Sequence, residues 1–166
     1  MKGTGVVIVL MGVSGSGKTT IGSILAQQLG WIFTDADDYH PAANVEKMRN
    51  GIPLTDADRA PWLDALRSLL ADWINRGTSA VLACSALKQA YREKLRVDQQ
   101  VRVVYLKASS ELLAQRLLER RGHYMKKEML ESQLATLEQP EDAVSVDASR
   151  TPEEIAQEIR RHLGLE

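Results

Sequence analysis

A chain of 166 residues is long enough for one domain with a substantial core and short for two. Its residues are 44% hydrophobic and 26% charged, an ordinary globular balance, and the formal net charge of −1 provides no global field to draw it to nucleic acid or to a membrane surface. The one cysteine, Cys84, excludes an internal disulfide. No stretch approaches the roughly twenty apolar residues of a membrane span, and the apolar run after Lys2 ends too soon in a glycine-rich turn to be a secretory leader. The expectation is a cytoplasmic protein.

Residues 6–11 form a continuous apolar, β-rich run, which predicts a central strand covered on both faces. Residues 18–29 then place Ile21, Ile24, Leu25 and Leu29 at helical spacing, with Gly30 as the stop. A short strand is expected over 31–34, leading into an acidic cluster, and a short helix over 41–50 between Pro41 and Gly51. Thr55, three residues before Asp58, predicts a capping-box start. The helix it opens runs to about residue 76 and buries Trp62, Leu63, Leu66, Leu69, Leu70 and Trp73. A second buried strand is expected over 80–84, a basic helix over 89–96 and a third strand over 101–106. Ser109 caps a helix carrying Leu112, Leu113, Arg116, Leu117 and Arg120, which Gly122 interrupts. A helix over 126–138, a last strand over 143–146 and a final helix opened by Thr151-Pro152-Glu153-Glu154 complete the chain. Strands alternating with helices predict one α/β domain, residues 1–166, with a parallel sheet and helices on both faces.

The segment Gly12-Val13-Ser14-Gly15-Ser16-Gly17-Lys18-Thr19 matches G-x-x-x-x-G-K-[ST] at every fixed position, between a strand and an amphipathic helix. Its glycines free the backbone to turn N–H groups inward onto phosphate oxygens, and the positive end of the following helix faces the same anion. Lys18 is expected to reach the β- and γ-phosphates of ATP, and the Thr19 hydroxyl to ligate Mg²⁺. Asp35-Ala36-Asp37-Asp38 follows the second strand, at the sheet edge where doubly wound folds bind ligands. Asp35 is assigned to the metal side and as a candidate general base, and Asp37 to substrate hydroxyls, the two pointing the same way if the segment stays extended. The bland alternative is a solvated acidic turn. There is no N-K-x-D motif, no D-x-x-G switch and no aspartate ending the strand at 80–84, which points away from GTPases and toward the compact metabolite kinases.

Longer blocks carry a more specific signal. Thr34-Asp35-Ala36-Asp37-Asp38-Tyr39-His40-Pro41 with Asn44, Glu46-Lys47-Met48 and Gly51 is one. Pro53-Leu54-Thr55-Asp56 with Asp58-Arg59 and Pro61-Trp62-Leu63 is a second, and Cys84-Ser85-Ala86-Leu87-Lys88 with Tyr91-Arg92 and Leu95-Arg96 a third. Arg121-Gly122-His123-Tyr124 with Ser132-Gln133, Thr136-Leu137-Glu138 and Pro140 is a fourth. Together they resemble the gluconate kinase family over nearly the whole chain. The resemblance implies a P-loop fold similar to shikimate and nucleoside-monophosphate kinases, ATP-dependent phosphorylation of D-gluconate to 6-phospho-D-gluconate, and a homodimer. One departure is Asp-Ala-Asp where the family pattern has Asp-Gly-Asp, which puts the loop geometry in question.

A sugar acid presents one carboxylate and a row of hydroxyls, so its site needs cations and hydrogen-bonding groups. His40, Arg49, Arg59, Lys88 and Arg92 are the candidates, with His123 added from the fourth block. Lys88 and Arg92, four apart, share a face of the expected helix; a solvated basic stripe is the alternative, and the resemblance favours Arg92 over it more than Lys88. His40, beside Asp37 and Asp38, is either structural, a hydrogen-bonding partner of substrate, or a histidine of raised pKa. Arg116, Arg120 and Arg121, with Lys126 and Lys127, form the densest cationic stretch, expected in a lid spanning about 116–140. Arg120 and Arg121 are preferred as the cations that meet the transferring phosphoryl group, against the alternative of a helix end whose cations offset its dipole. Two readings compete with gluconate phosphorylation: a kinase for another sugar acid or a shikimate-like substrate, and a nucleotide-gated binding module with no catalysis.

Overall fold

In the computed structural model the described residues are 5–13, 15–119, 127–141 and 143–165, with the backbone alone described at 117–119 and 127–129. The five strands are β1 (Val7–Met11), β2 (Ile32–Asp35), β3 (Ala80–Ala83), β4 (Val101–Lys107) and β5 (Val144–Asp147). They form one parallel sheet in the order β2-β3-β1-β4-β5. The helices are α1 (Lys18–Leu29), α2 (Ala42–Arg49), α3 (Asp56–Arg76), α4 (Gln89–Leu95), α5 (Ser110–Glu119), α6 (Lys127–Thr136) and α7 (Pro152–Leu163), with a short 3-10 helix at Ala36–Tyr39.

Every residue of β1 is buried, because both sheet faces are covered. Val7, Val9 and Met11 face one core with Leu82, Val103 and Tyr105, closed by Trp62, Leu66 and Leu70 of α3 and Tyr91 and Leu95 of α4. Ile8 and Leu10 face the other with Val81, Val104 and Leu106, closed by Ile21 and Leu25 of α1 and Ile155 and Ile159 of α7. A smaller cluster of Val13, Leu87, Leu113 and Leu130 lies just past the strand ends and seats α5 and α6 beside the glycine-rich turn. Leu69, expected in the core, is only half-buried.

The expected helix starts form. Thr55 Oγ1 accepts from the Asp58 amide at 3.1 Å while Asp58 Oδ2 accepts from the Thr55 amide at 2.9 Å. Thr151 and Glu154 repeat the arrangement ahead of α7, with Pro152 in its first turn. Ser109 Oγ accepts from the Leu112 amide at 3.1 Å. The helix expected over 126–138 is shorter, since by Glu138 the amide has turned to the Leu87 carbonyl, 2.8 Å away, and left the helical ladder.

α1 approaches the sheet closely through Gly22, where a β-carbon would lie 2.5 Å from Phe33 Cε1 and 3.3 Å from Leu10 Cδ1. Overpacking costs of about 1–3 kcal/mol exceed the ~1 kcal/mol that alanine gains in helix propensity. Gly22→Ala is therefore expected to lower the unfolding free energy by about 1 kcal/mol in urea titrations, and Gly22→Val by more.

Candidate active site

Parallel register brings the chemistry to one edge. Leu10 of β1 is level with Ala83 of β3, and Ala83 with Asp35 of β2, so three strands end together. Beyond β1 the backbone turns through Gly15 and Gly17, at φ of 90° and 99°, angles that a side chain would strain. Gly17 caps α1 with no side-chain hydrogen bond, which leaves the first amides of that helix to an external acceptor. Lys18 Nζ curls over the turn, donating to the carbonyls of Gly12 at 2.8 Å and Val13 at 3.2 Å. Ser16 Oγ is buried beneath it, with no hydrogen-bond partner among the described residues. Thr19 Oγ1 donates to Asp35 Oδ2 at 3.0 Å, so a hydroxyl and a carboxylate stand side by side as hard oxygen donors. These residues fit a polyphosphate and its magnesium ion. Ser14 lies outside the described residues.

Asp35 is itself the last residue of β2, and the segment after it is not extended. Asp35 Oδ1 accepts from the Asp37 amide at 2.9 Å and caps the 3-10 helix, so the expectation that the two carboxylates project alike from an extended chain is corrected. Asp37 is exposed as a residue, although protein atoms crowd its carboxyl. Lost hydration and then the charge of Asp35 push that carboxyl above the usual carboxylate range, and Lys18 pulls it partly back. Ala36, the departure from the family pattern, is buried and has no positive φ, so alanine suits the turn; its carbonyl accepts from Trp62 Nε1 at 2.7 Å.

Arg59, Lys88 and Tyr91 gather around Asp56, a residue that spacing alone did not single out. Lys88 Nζ donates to Asp56 Oδ1 at 2.9 Å, Tyr91 donates its hydroxyl to the same oxygen, and Arg59 Nη1 lies 3.6 Å from it while donating to Tyr91 Oη at 3.0 Å. Arg59 and Lys88 both stand over the Tyr91 ring, 5.6 and 5.7 Å from its centroid. The Tyr91 and then the Lys88 hydrogen bonds hold the Asp56 carboxyl below its ordinary range, and the bond to Asp56 raises Lys88. Two cations against one carboxylate leave this cluster positive. Arg49 is not brought to it: it stands exposed on α2 beside Ala42, Val45, Glu46 and Asn50.

Lys88 and Arg92 do not share a helical face. Lys88 is the residue before α4, with φ −103° and ψ 147°, and its side chain leaves toward Asp56. Arg92 turns inward and is 1% exposed, donating to the carbonyls of Ala86 and Glu138 at 2.8 Å and to Gln89 Oε1 at 3.1 Å. Ala86 is in the left-handed region at φ 45°, a strain of about 1–2 kcal/mol for a residue with a β-carbon. Arg92 thus braces the turn that carries Lys88. Arg116 does comparable work elsewhere: its Nη1 donates to the Gly15 carbonyl at 3.0 Å and its Nη2 to the Ala148 carbonyl at 2.7 Å, tying α5 to the phosphate turn and to the loop after β5. Arg120, Arg121 and His123 lie outside the described residues, as does much of the expected lid.

His40 stacks on Trp62 with ring centroids 4.2 Å apart and an interplanar angle of 11°. Burial first, and the nearby Arg59 charge second, lower its pKa to about 4, which corrects the expectation of a raised one.

Two outcomes follow from these contacts. Arg92→Met is expected to lower the unfolding free energy by about 2–3 kcal/mol, because it strips a charged donor from the buried Ala86 carbonyl and from two part-buried acceptors. Unchanged stability with a weakened substrate KM would instead make Arg92 a ligand. The unfolded chain takes up the His40 proton near pH 6.5 and the folded one only near 4, so between those values unfolding binds protons and stability falls as pH is lowered. His40→Gln is expected to flatten that part of the pH–stability curve, measured by urea unfolding at intervals across it.

Comparison with known proteins agrees with this geometry. The family model described as shikimate kinase matches residues 14–164. A gluconokinase of Gluconobacter oxydans (strain 621H) is 48% identical over 163 residues, covering 96% of this chain and 92% of the relative. The crystal structure of a gluconokinase from Sinorhizobium meliloti 1021 superposes with a TM-score of 0.88 at 41% identity, over 98% of this chain and 93% of that one. An unliganded sugar kinase from Janibacter sp. HTCC2649 gives 0.90 at 39% identity, over 97% and 95%. The chain belongs to the gluconokinase family of P-loop small-molecule kinases.

Proposed function

We propose that this chain transfers the γ-phosphoryl group of ATP to D-gluconate, giving 6-phospho-D-gluconate and ADP. The observation that carries the reading is the placement, on one sheet edge, of a phosphate cradle, an acidic pair and a positive cluster matched to a carboxylate. Bound as its magnesium complex, ATP supplies an electrophilic phosphorus and a stable leaving group. The chain's residues do the positioning. Amides of the glycine turn and of the first turn of α1 hold the phosphate oxygens, and Lys18 leaves the Gly12 and Val13 carbonyls for the β- and γ-oxygens. Thr19 and Asp35 would hold the magnesium ion. Arg59 and Lys88 take the gluconate carboxylate in exchange for Asp56, while His40 and Asp37 hold hydroxyls.

The terminal hydroxyl of gluconate then faces the cradle in line. A new P–O bond forms to that oxygen as the bridging P–O bond to ADP breaks, and the hydroxyl proton passes to Asp35 or to water. In the same reading Arg120 and Arg121 are the cations that meet the developing charge, within a lid of about residues 116–140. A homodimer, on the strength of the family resemblance, and a cytoplasmic location complete the proposal; among the described residues no helix is long and apolar enough to cross a membrane.

Lys18→Ala is expected to lower kcat by about 10²–10³-fold or more with the unfolding curve unchanged. The substrate is tested by ADP release against a panel of sugar acids and shikimate. Gluconate is expected to give the highest kcat/KM, and a far better alternative with gluconate inert would overturn the assignment.

A further inference from the structure

The proton on His40 can be placed from its neighbours. Asn44 is 4% exposed, and its Nδ2 donates to the Asp58 backbone carbonyl at 2.8 Å. A carbonyl only accepts, so this bond fixes which end of the amide is nitrogen. The same Nδ2 lies 3.2 Å from His40 Nδ1, and a donor facing that atom requires it to present its lone pair. The neutral ring must then carry its hydrogen on Nε2. Among the described residues no group accepts from Nε2, and the ring retains partial exposure. Its flat face is held against Trp62, itself anchored to the Ala36 carbonyl beside Asp35 and Asp37.

We propose that Asn44 is a positioning residue that locks His40 as an Nε2–H donor, which gives a hydrogen bond to an acceptor oxygen of the substrate and never serves as base or cation. This rests on the reading of the cleft as the sugar-acid site. Its use is discrimination. A fixed donor rewards an oxygen that accepts, a hydroxyl or carboxylate, and keeps that preference across the pH range in which an ordinary histidine changes charge. The charged groups around the ring agree with a neutral state. Arg59, on α3, repels a second proton, and the Asp58 carboxylate that might attract one is engaged by Lys47 at 2.9 and 3.0 Å and by the Thr55 amide.

The test begins with the substrate-free protein. In ¹⁵N-labelled wild type, long-range ring spectra from pH 8 to pH 5 are expected to show a hydrogen-bearing Nε2 and a bare Nδ1 at His40. A ring protonated at Nδ1, or one that becomes doubly protonated near pH 6.5, overturns the proposal whatever the substrate proves to be. Asn44→Ala is expected to yield a mixture of tautomers. If that variant fails to fold, substitutions of His40 carry the functional arm. His40→Gln keeps a donor and is expected to stay within about threefold of the wild-type gluconate KM, whereas His40→Met, with none, is expected to raise it about tenfold while the KM for ATP is unchanged. Equal gluconate KM values for the Gln and Met variants would refute the donor role. Gluconate inert with every variant, including wild type, would instead refute the substrate assignment and leave the spectra to decide the tautomer.

Discussion

The hydrogen bond between Thr19 and Asp35 joins the two halves of the site, and the sheet makes it possible. β1 and β2 are not neighbours; β3 runs between them in parallel register, so the strand carrying the phosphate turn and the strand carrying the acid end level with each other. Two inter-strand spacings separate them by roughly 10 Å. α1 rises from the turn and brings Thr19 across that gap to within 3.0 Å of the Asp35 carboxylate. Gly22 lets α1 lie close enough to β1 and β2 for the reach to succeed. A shift of either strand by one residue would leave the hydroxyl without its carboxylate and would send each side chain of that strand to the opposite face of the sheet.

The acceptor side is organised by charge in a different way. Its cations are already engaged: Lys88 and Arg59 by Asp56, with Tyr91 beneath both. The Lys88–Asp56 pair is open to solvent and adds little to stability, so Asp56 is a replaceable partner in the proposed reading. Two other arginines, Arg92 buried and Arg116 half-buried, are engaged by the backbone instead. They bond backbone carbonyls at Ala86, Glu138, Gly15 and Ala148, and the Arg92 bonds brace the turn that carries Lys88.

Much of this organisation was legible in the sequence, for identifiable reasons. An unbroken apolar run means a strand covered twice, which β1 is; Thr-x-x-Asp and Thr-Pro-Glu-Glu have one local geometry that satisfies their amides, and both cap helices. The phosphate turn is a local motif set by glycine and helix start. What was not legible depends on contacts distant in sequence or on a local conformation that spacing leaves open. A spacing of four puts Lys88 and Arg92 on one face only if both are helical, and Lys88 is not. Asp35 and Asp37 project alike only if extended, and Asp35 caps a 3-10 helix instead. The direction of the His40 shift depends on Trp62 and Arg59, near in space but on another helix. Arg116 reaches a carbonyl 101 positions away, which no periodicity announces.

The most direct measurement is a phosphorus NMR spectrum of wild-type protein turning over magnesium ATP and D-gluconate. Transfer to the terminal hydroxyl predicts one new phosphomonoester for each ADP formed, its signal split by the two protons of an adjoining CH₂ group. Inorganic phosphate as the sole new product, or an ester split by a single CH proton, would contradict it.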